Sequence, residues 1–179
     1  MRKPQLEEGV DGAMGPTGTA SDDVSPRTIS QEPIIRAAAP DDLRVMFDIR
    51  GLVDENRMSR SELAAVGITE ETVRSRLGPQ LAAWVAGIDG EVVGYSMADR
   101  LRGCVYAIFV LPAFQGRGIG GALLDRASVF LFGCGFGRIF LNTDASTRAY
   151  RFYLREGWVD AGESNGTERR LELSARSWA

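Results

Sequence analysis

The chain has 179 residues, 44% of them hydrophobic, and a formal net charge of −3. That is core material for one domain, and the acidic balance excludes a general nucleic-acid binder, which needs a basic face. The sequence holds no histidine, so no imidazole can act as base, metal ligand or pH switch, and no metal is expected.

Residues 1–32 are dominated by Gly, Pro, Ser, Thr, Asp and Glu without hydrophobic periodicity. They read as a disordered tail before a single domain over residues 33–179. Ile34-Ile35-Arg36-Ala37 is a short strand, and Pro40, with Asp41 and Asp42, suits the start of a helix. Leu43, Met46, Phe47 and Val53 give that helix an imperfect apolar stripe. Asp54 and Glu55 follow it, placed either to attract a cation or simply as a solvated helix end. Ser59-x-x-Glu62 is a capping box for a second helix. Thr69 caps a third, which Gly78-Pro79 ends. Leu81–Ile88 and Glu91–Asp99 are strands joined by Asp89-Gly90, a two-residue hairpin signal. Arg102-Gly103 turns into a third antiparallel strand.

Val105–Leu124 is the informative stretch. Val105 to Leu111 is a continuous apolar run of strand length. Pro112 stops it for want of an N–H. Gln115 to Gly121 is glycine-rich, and Ala122-Leu-Leu opens a helix to about Leu131. The order strand, glycine loop, helix N-terminus makes an anion site from unpaired first-turn N–H groups and the helix dipole. Arg117 adds a cation, and the economical ligand is a phosphate or pyrophosphate. Gly116, Gly118 and Gly121 also spell G-x-G-x-x-G, a weak signal on its own. Pro-Ala-Phe-Gln separates these glycines from their strand, and too little chain follows for repeated βαβ units. No Lys-Ser/Thr follows the glycines, so a Walker A loop is excluded.

Beyond the loop, Gly133 to Gly137 ends the helix. Arg138–Thr143 is a strand parallel to its predecessor by the crossover rule. Ser146 or Thr147 caps a last helix with Ala149, Phe152 and Tyr153 inward. Trp158–Gly162 and Arg169–Ser174 close the chain as a hairpin about Asn165-Gly166. Cys104 and Cys134 form no C-x-x-C and read as reduced thiols of a cytoplasmic protein. No apolar run is of membrane-spanning length and no leader pattern opens the chain, so no membrane partner is expected.

Gln115-Gly116-Arg117-Gly118-Ile119-Gly120 after a hydrophobic-x-Pro strand end, with Ser146, Ala149, Tyr153 and Gly157-Trp158 spaced beyond it, resembles the GNAT N-acetyltransferase superfamily. The resemblance covers roughly residues 33–174. It implies an α/β (α+β) fold, with a mixed, mostly antiparallel sheet, a splayed parallel pair formed by strands four and five, and helices on both faces. It implies acetyl-CoA as co-substrate and an amine of a small molecule or peptide as acceptor; a homodimer fits such folds. The pantetheine arm would pair with the backbone of Ile108, Phe109 and Val110 like an added strand. The pyrophosphate would lie over Gln115, Gly116, Arg117, Gly118, Ile119, Gly120 and Gly121. Ser146 stands where the family has asparagine, to bond the pantetheine or to cap the helix. Tyr153 occupies the position of the family's acid for the departing thiolate, and also suits a core tyrosine with a satisfied hydroxyl. The glutamate that some members use as base is here Cys104, a poor base. Tyr106, Asp99 and Asp144 lie within reach of a water chain, and no base is assigned. The missing glutamate keeps open a non-catalytic acyl-CoA-binding module on the same fold.

Overall fold

The structure, a computed structural model, describes residues 32–178. The tail expected over residues 1–32 therefore lies outside the described residues, apart from Glu32. Along the chain run β1 (Ile34–Ala37), α1 (Leu43–Leu52), α2 (Arg60–Ala65), α3 (Glu70–Arg76), β2 (Leu81–Ile88), β3 (Glu91–Asp99) and β4 (Cys104–Val110). Then come α4 (Ile119–Gly133), β5 (Arg138–Asp144), α5 (Arg148–Arg155), β6 (Val159–Asn165), β7 (Glu168–Ser174) and a short α6 (Ala175–Trp178). Single 3-10 turns at Pro40–Asp42 and Pro112–Phe114 precede α1 and the glycine loop.

Local chemistry explains most of these boundaries. Ser59 accepts from the Glu62 N–H while the Glu62 carboxylate accepts from the Ser59 N–H at 2.7 Å, a closed capping box. Thr69 Oγ1 accepts from the Thr72 N–H at 3.1 Å and starts α3. Asp89 and Gly90 both have positive φ, 51° and 83°. Such a turn matches the right-handed twist of the strands it joins, β2 and β3.

The seven strands form one sheet in the order β1-β2-β3-β4-β5-β7-β6. All neighbouring pairs are antiparallel except β4 and β5, which are parallel. The last hairpin does not simply extend the sheet: β7 lies against β5 and leaves β6 at the edge. Helices cover both faces. One cluster joins Leu43, Met46 and Phe47 of α1, Leu63 and Val73 to Val85, Tyr95 and Met97 of the sheet. Another joins Leu124, Ala127 and Leu131 of α4 and Tyr153 of α5 to Val105, Ile139 and Leu171. Truncating a fully buried leucine such as Leu131 to alanine costs roughly 2–5 kcal/mol in sites of this kind.

Two irregularities in the centre of the sheet set up the site. Met97 faces Ala107 and Ala98 faces Val105, so Tyr106 is an extra residue on β4. Such a bulge bends its strand and increases the local twist. Beyond it β4 leaves β5: the only registered pair between them is Cys104 with Phe140. The expected splay of strands four and five is thus present, hinged at the first residue of β4.

Candidate active site

The fork between β4 and β5 exposes one edge of β4. The Leu111 N–H donates to Val93 O of β3 at 2.9 Å. Successive N–H groups of a strand point to opposite edges, so the Val110 N–H turns toward the fork, as does that of Ile108. Gln115 Nε2 donates to Val110 O at 3.1 Å and ties the glycine loop to the strand end. The loop side chain of Gln115 is therefore engaged with the strand, and Arg117 is exposed, its guanidinium carbon 5.3 Å from the Phe114 ring centroid.

At the top of the fork α4 begins without a side-chain cap. Its N-cap is Gly118 at φ 77°, and Gly116 has φ 74°. Both lie in the left-handed region, where a Cβ costs roughly 1–2 kcal/mol. No acidic residue occupies the first turn. The N–H groups of Ile119, Gly120 and Gly121 therefore open the helix with no acidic side chain of their own turn to receive them. Gly120 and Gly121 back onto Phe152 and Glu156 of α5. This cradle suits a diphosphate: backbone donors, a dipole end and one mobile cation.

Tyr153 is buried beside Trp158 and Phe152, with ring centroids 6.1 and 5.2 Å away. It shares its cluster with Val105 and Ile108 of β4. Its hydroxyl makes no hydrogen bond with a described residue, and burial pushes its pKa up. It is therefore a protonated phenol at any ordinary pH. Tyr153 is a core residue as well, in one cluster with Leu124 and Leu131 of α4.

Ser146 does not cap α5. Thr147 does, accepting from the Tyr150 N–H at 3.2 Å. Ser146 instead folds onto Asp144, giving it an O–H donor at 2.6 Å and an N–H donor at 2.8 Å. The aspartate at the strand end takes both donors of Ser146, which lies one residue ahead of the N-cap. Those bonds, with the Thr167 hydroxyl, hold Asp144 down at about 2. Such a carboxylate is too weak a base to serve at neutral pH. Asp99 is fully buried and taken up by the β3–β4 turn: it accepts from the Leu101 and Arg102 N–H groups and from Gln80. Cys104 is buried, and desolvation raises its pKa. None of these three is a base. Asp54 and Glu55 are likewise committed, to Arg148: the Glu55 carboxylate accepts from the Arg148 N–H at 2.9 Å and lies 3.4 Å from its guanidinium. Asp54 lies 3.4 Å from the same guanidinium.

A cavity of about 250 Å³ adjoins β4 on the α1–α3 side. Leu43, Met46, Phe47, Leu63 and Val73 wall it from the helices, Met58 and Ile68 from the segments between them, and Tyr95, Met97, Tyr106, Ala107 and Phe109 from the sheet. The bulge brings the neighbours Tyr106 and Ala107 to the same wall. The remaining wall residue is Arg50, near the end of α1. Sequence reading passed it over, although the signal was there: Leu43, Met46, Phe47 and Arg50 are spaced i, i+3, i+4, i+7 and share a face. Among the described residues, no three His, Cys, Asp or Glu side chains gather as a metal site. No helix among them is long and apolar enough to cross a membrane.

A fork of this kind beside an uncapped, glycine-led helix points to one group of enzymes, and the sequence decides the matter. Residues 52–158 match the model of the Acetyltransferase (GNAT) family. The chain belongs to that family. The GNAT fold is seen again in solved structures. An N-acetyltransferase (PaiA) from Thermoplasma acidophilum in complex with coenzyme A superposes with a TM-score of 0.65 at 15% identity, over 80% of this chain and 99% of that one. A spermidine/spermine N-acetyltransferase from Vibrio cholerae gives 0.60 at 17%, over 82% and 97%. A ribosomal-protein alanine N-acetyltransferase from Escherichia coli gives 0.58 at 19%, over 79% and 91%. At these identities the likeness is one of fold. The GNAT fold of this chain is thus shared with these proteins, and its site must be read from its own residues.

Proposed function

We propose that this GNAT protein transfers the acetyl group of acetyl-CoA to a primary amine by direct attack on the thioester. The observation that carries this reading is the fork: β4 pairs with β5 at one residue, then runs with a free edge up to an uncapped helix N-terminus. That edge and terminus fit the donor. Ile108, Phe109 and Val110 would hold the pantetheine amides through their backbone, and Gln115 to Gly121 with Arg117 the diphosphate. The Ser146 hydroxyl donates its hydrogen bond to Asp144, so toward the pantetheine it acts as acceptor.

Acetyl-CoA supplies the activated acyl group. The Val110 N–H faces the place where negative charge builds on the acyl oxygen, and a preorganised donor there stabilises the transition state. The acceptor nitrogen forms the new C–N bond as the C–S bond breaks and its electron pair passes to sulfur. Tyr153 gives its phenolic proton to that sulfur and regains one from the proton the amine sheds through solvent. No carboxylate lies among the described residues of the acceptor cavity, so the amine reacts from its free-base form. The two unpaired cysteines support a reducing, cytoplasmic setting.

The test is free-thiol release from acetyl-CoA over a panel of amines, alongside calorimetric coenzyme A binding. Binding without turnover by any amine class would favour the second reading, a non-catalytic acyl-CoA-binding module, for which the absence of a cavity carboxylate is the motive.

A further inference from the structure

The cavity carries a charge that no acidic or hydrogen-bonding group among the described residues answers. Arg50 lines it, and its guanidinium makes no hydrogen bond or ion pair with any described residue; Nη1 is buried without a partner. Other inward or bridging arginines are matched: Arg36 by Asp42, Arg60 by Asp48 and Glu70, Arg76 by Asp99, Arg148 by Asp54 and Glu55. Position within the last turn of α1 suits a cation, but does not call for burial. The guanidinium carbon sits 4.2 Å over the Phe109 ring, a cation–π contact that holds the charge in place and uses none of its N–H donors. Burial lowers the pKa of Arg50, and the neighbouring phenols Tyr95 and Tyr106 oppose that; an arginine stays cationic nonetheless. A buried donor left unmade is costly, so the arrangement is explained by an anion that arrives with the ligand.

Resting on the acetyltransferase reading, we infer that the acceptor is an apolar amine bearing a carboxylate, the chemistry of a free hydrophobic amino acid, with Arg50 receiving the carboxylate and the methionine- and aliphatic-walled cavity its side chain. The sheet wall supports the choice: Phe109, under the guanidinium, is one of the three residues along which the acyl arm would lie, so an anion on Arg50 sets the amine beside the thioester. Polyamines fit poorly. Their cations meet an arginine and no carboxylate among the residues that line the cavity.

The experiment compares L-phenylalanine, L-leucine and L-methionine with phenethylamine, isoamylamine and spermidine, in thiol release and in calorimetric binding to the coenzyme A-loaded protein. We expect the carboxylated member of each matched pair to be favoured in kcat/KM, and Arg50→Met to lower kcat/KM for phenylalanine about 30-fold, the worth of one charged hydrogen-bonded pair. The same variant should change phenethylamine by less than about 3-fold. Arg50→Lys, which keeps the charge but not the fork, should fall between. Melting temperatures and coenzyme A affinity check that the variants are folded. Preference for spermidine or the decarboxylated amines, or equal loss on both members of a pair, overturns the inference and leaves the acetyltransferase reading standing. Arg50-dependent binding of phenylalanine without thiol release from any amine overturns that reading and keeps the anion site. The absence of both binding and turnover with every amino acid sinks the inference outright.

Discussion

The two halves of the cleft are built from different material. The donor half, from Val110 to Gly121, is made of backbone: a strand edge freed by a single parallel pair, and a helix start with no cap and no acid. The acceptor half is made of side chains from five elements, α1, α2, α3, β3 and β4, with the α2–α3 turn and the loop after α1 adding Ile68 and Met58. A backbone site tolerates many side chains but few changes of φ. A side-chain site is retuned by one substitution. The first is therefore shared widely among proteins of one fold, while the second is particular to each chain.

That contrast can be broken in several ways, the strongest first. Tyr153→Phe removes only an oxygen, and should lower kcat about 100-fold in steady-state assays while coenzyme A affinity by calorimetry holds; parallel loss of both would mean the hydroxyl serves binding. Gly118→Val places a branched side chain at φ 77° and should weaken coenzyme A about 10-fold, from strain on the order of 1–2 kcal/mol, with the acceptor cavity untouched. The rate dependence on pH should follow the acceptor: kcat/KM rises until the amine's own pKa is passed, and a break that stays fixed when the amine is changed would reveal an enzymic base. Arg117→Ala, on an exposed side chain, should cost coenzyme A affinity only about 3-fold, an effect that fades with salt. Smallest near neutrality is the acid limb of stability. Asp144, held at about 2 chiefly by the Ser146 hydroxyl, lies below its unfolded value near 4. A depressed folded pKa contributes above the unfolded one and is lost as pH falls. Melting temperature should therefore drop between about pH 4 and pH 2, less so in Asp144→Asn.

The same contrast explains what the sequence disclosed. The glycine loop, the Ser59 capping box, the Thr69 cap and the Asp89-Gly90 turn are local devices: a few consecutive residues carry the whole instruction. So the strand–loop–helix order was legible, and with it the family. The insertion of β7 between β5 and β6 was not, because pairing partners are chosen across distance. The bulge at Tyr106 has no marker in an apolar run where every residue suits a strand. Ser146 beside Thr147 offered two caps, and only the geometry at Asp144 separates them. Arg50 was visible as a flaw in the α1 stripe, but an unanswered charge is recognised only when the surrounding side chains are known to leave it alone.

The link between Glu55 and the start of α5 has a further consequence. A carboxylate from the segment after α1 accepts from the first N–H groups of the very helix that bears Tyr153. If Tyr153 is the proton donor we propose, a ligand that shifts the segment after α1 would shift that donor too, and enlarging the cavity for bulkier amines should slow turnover unless this strut is kept.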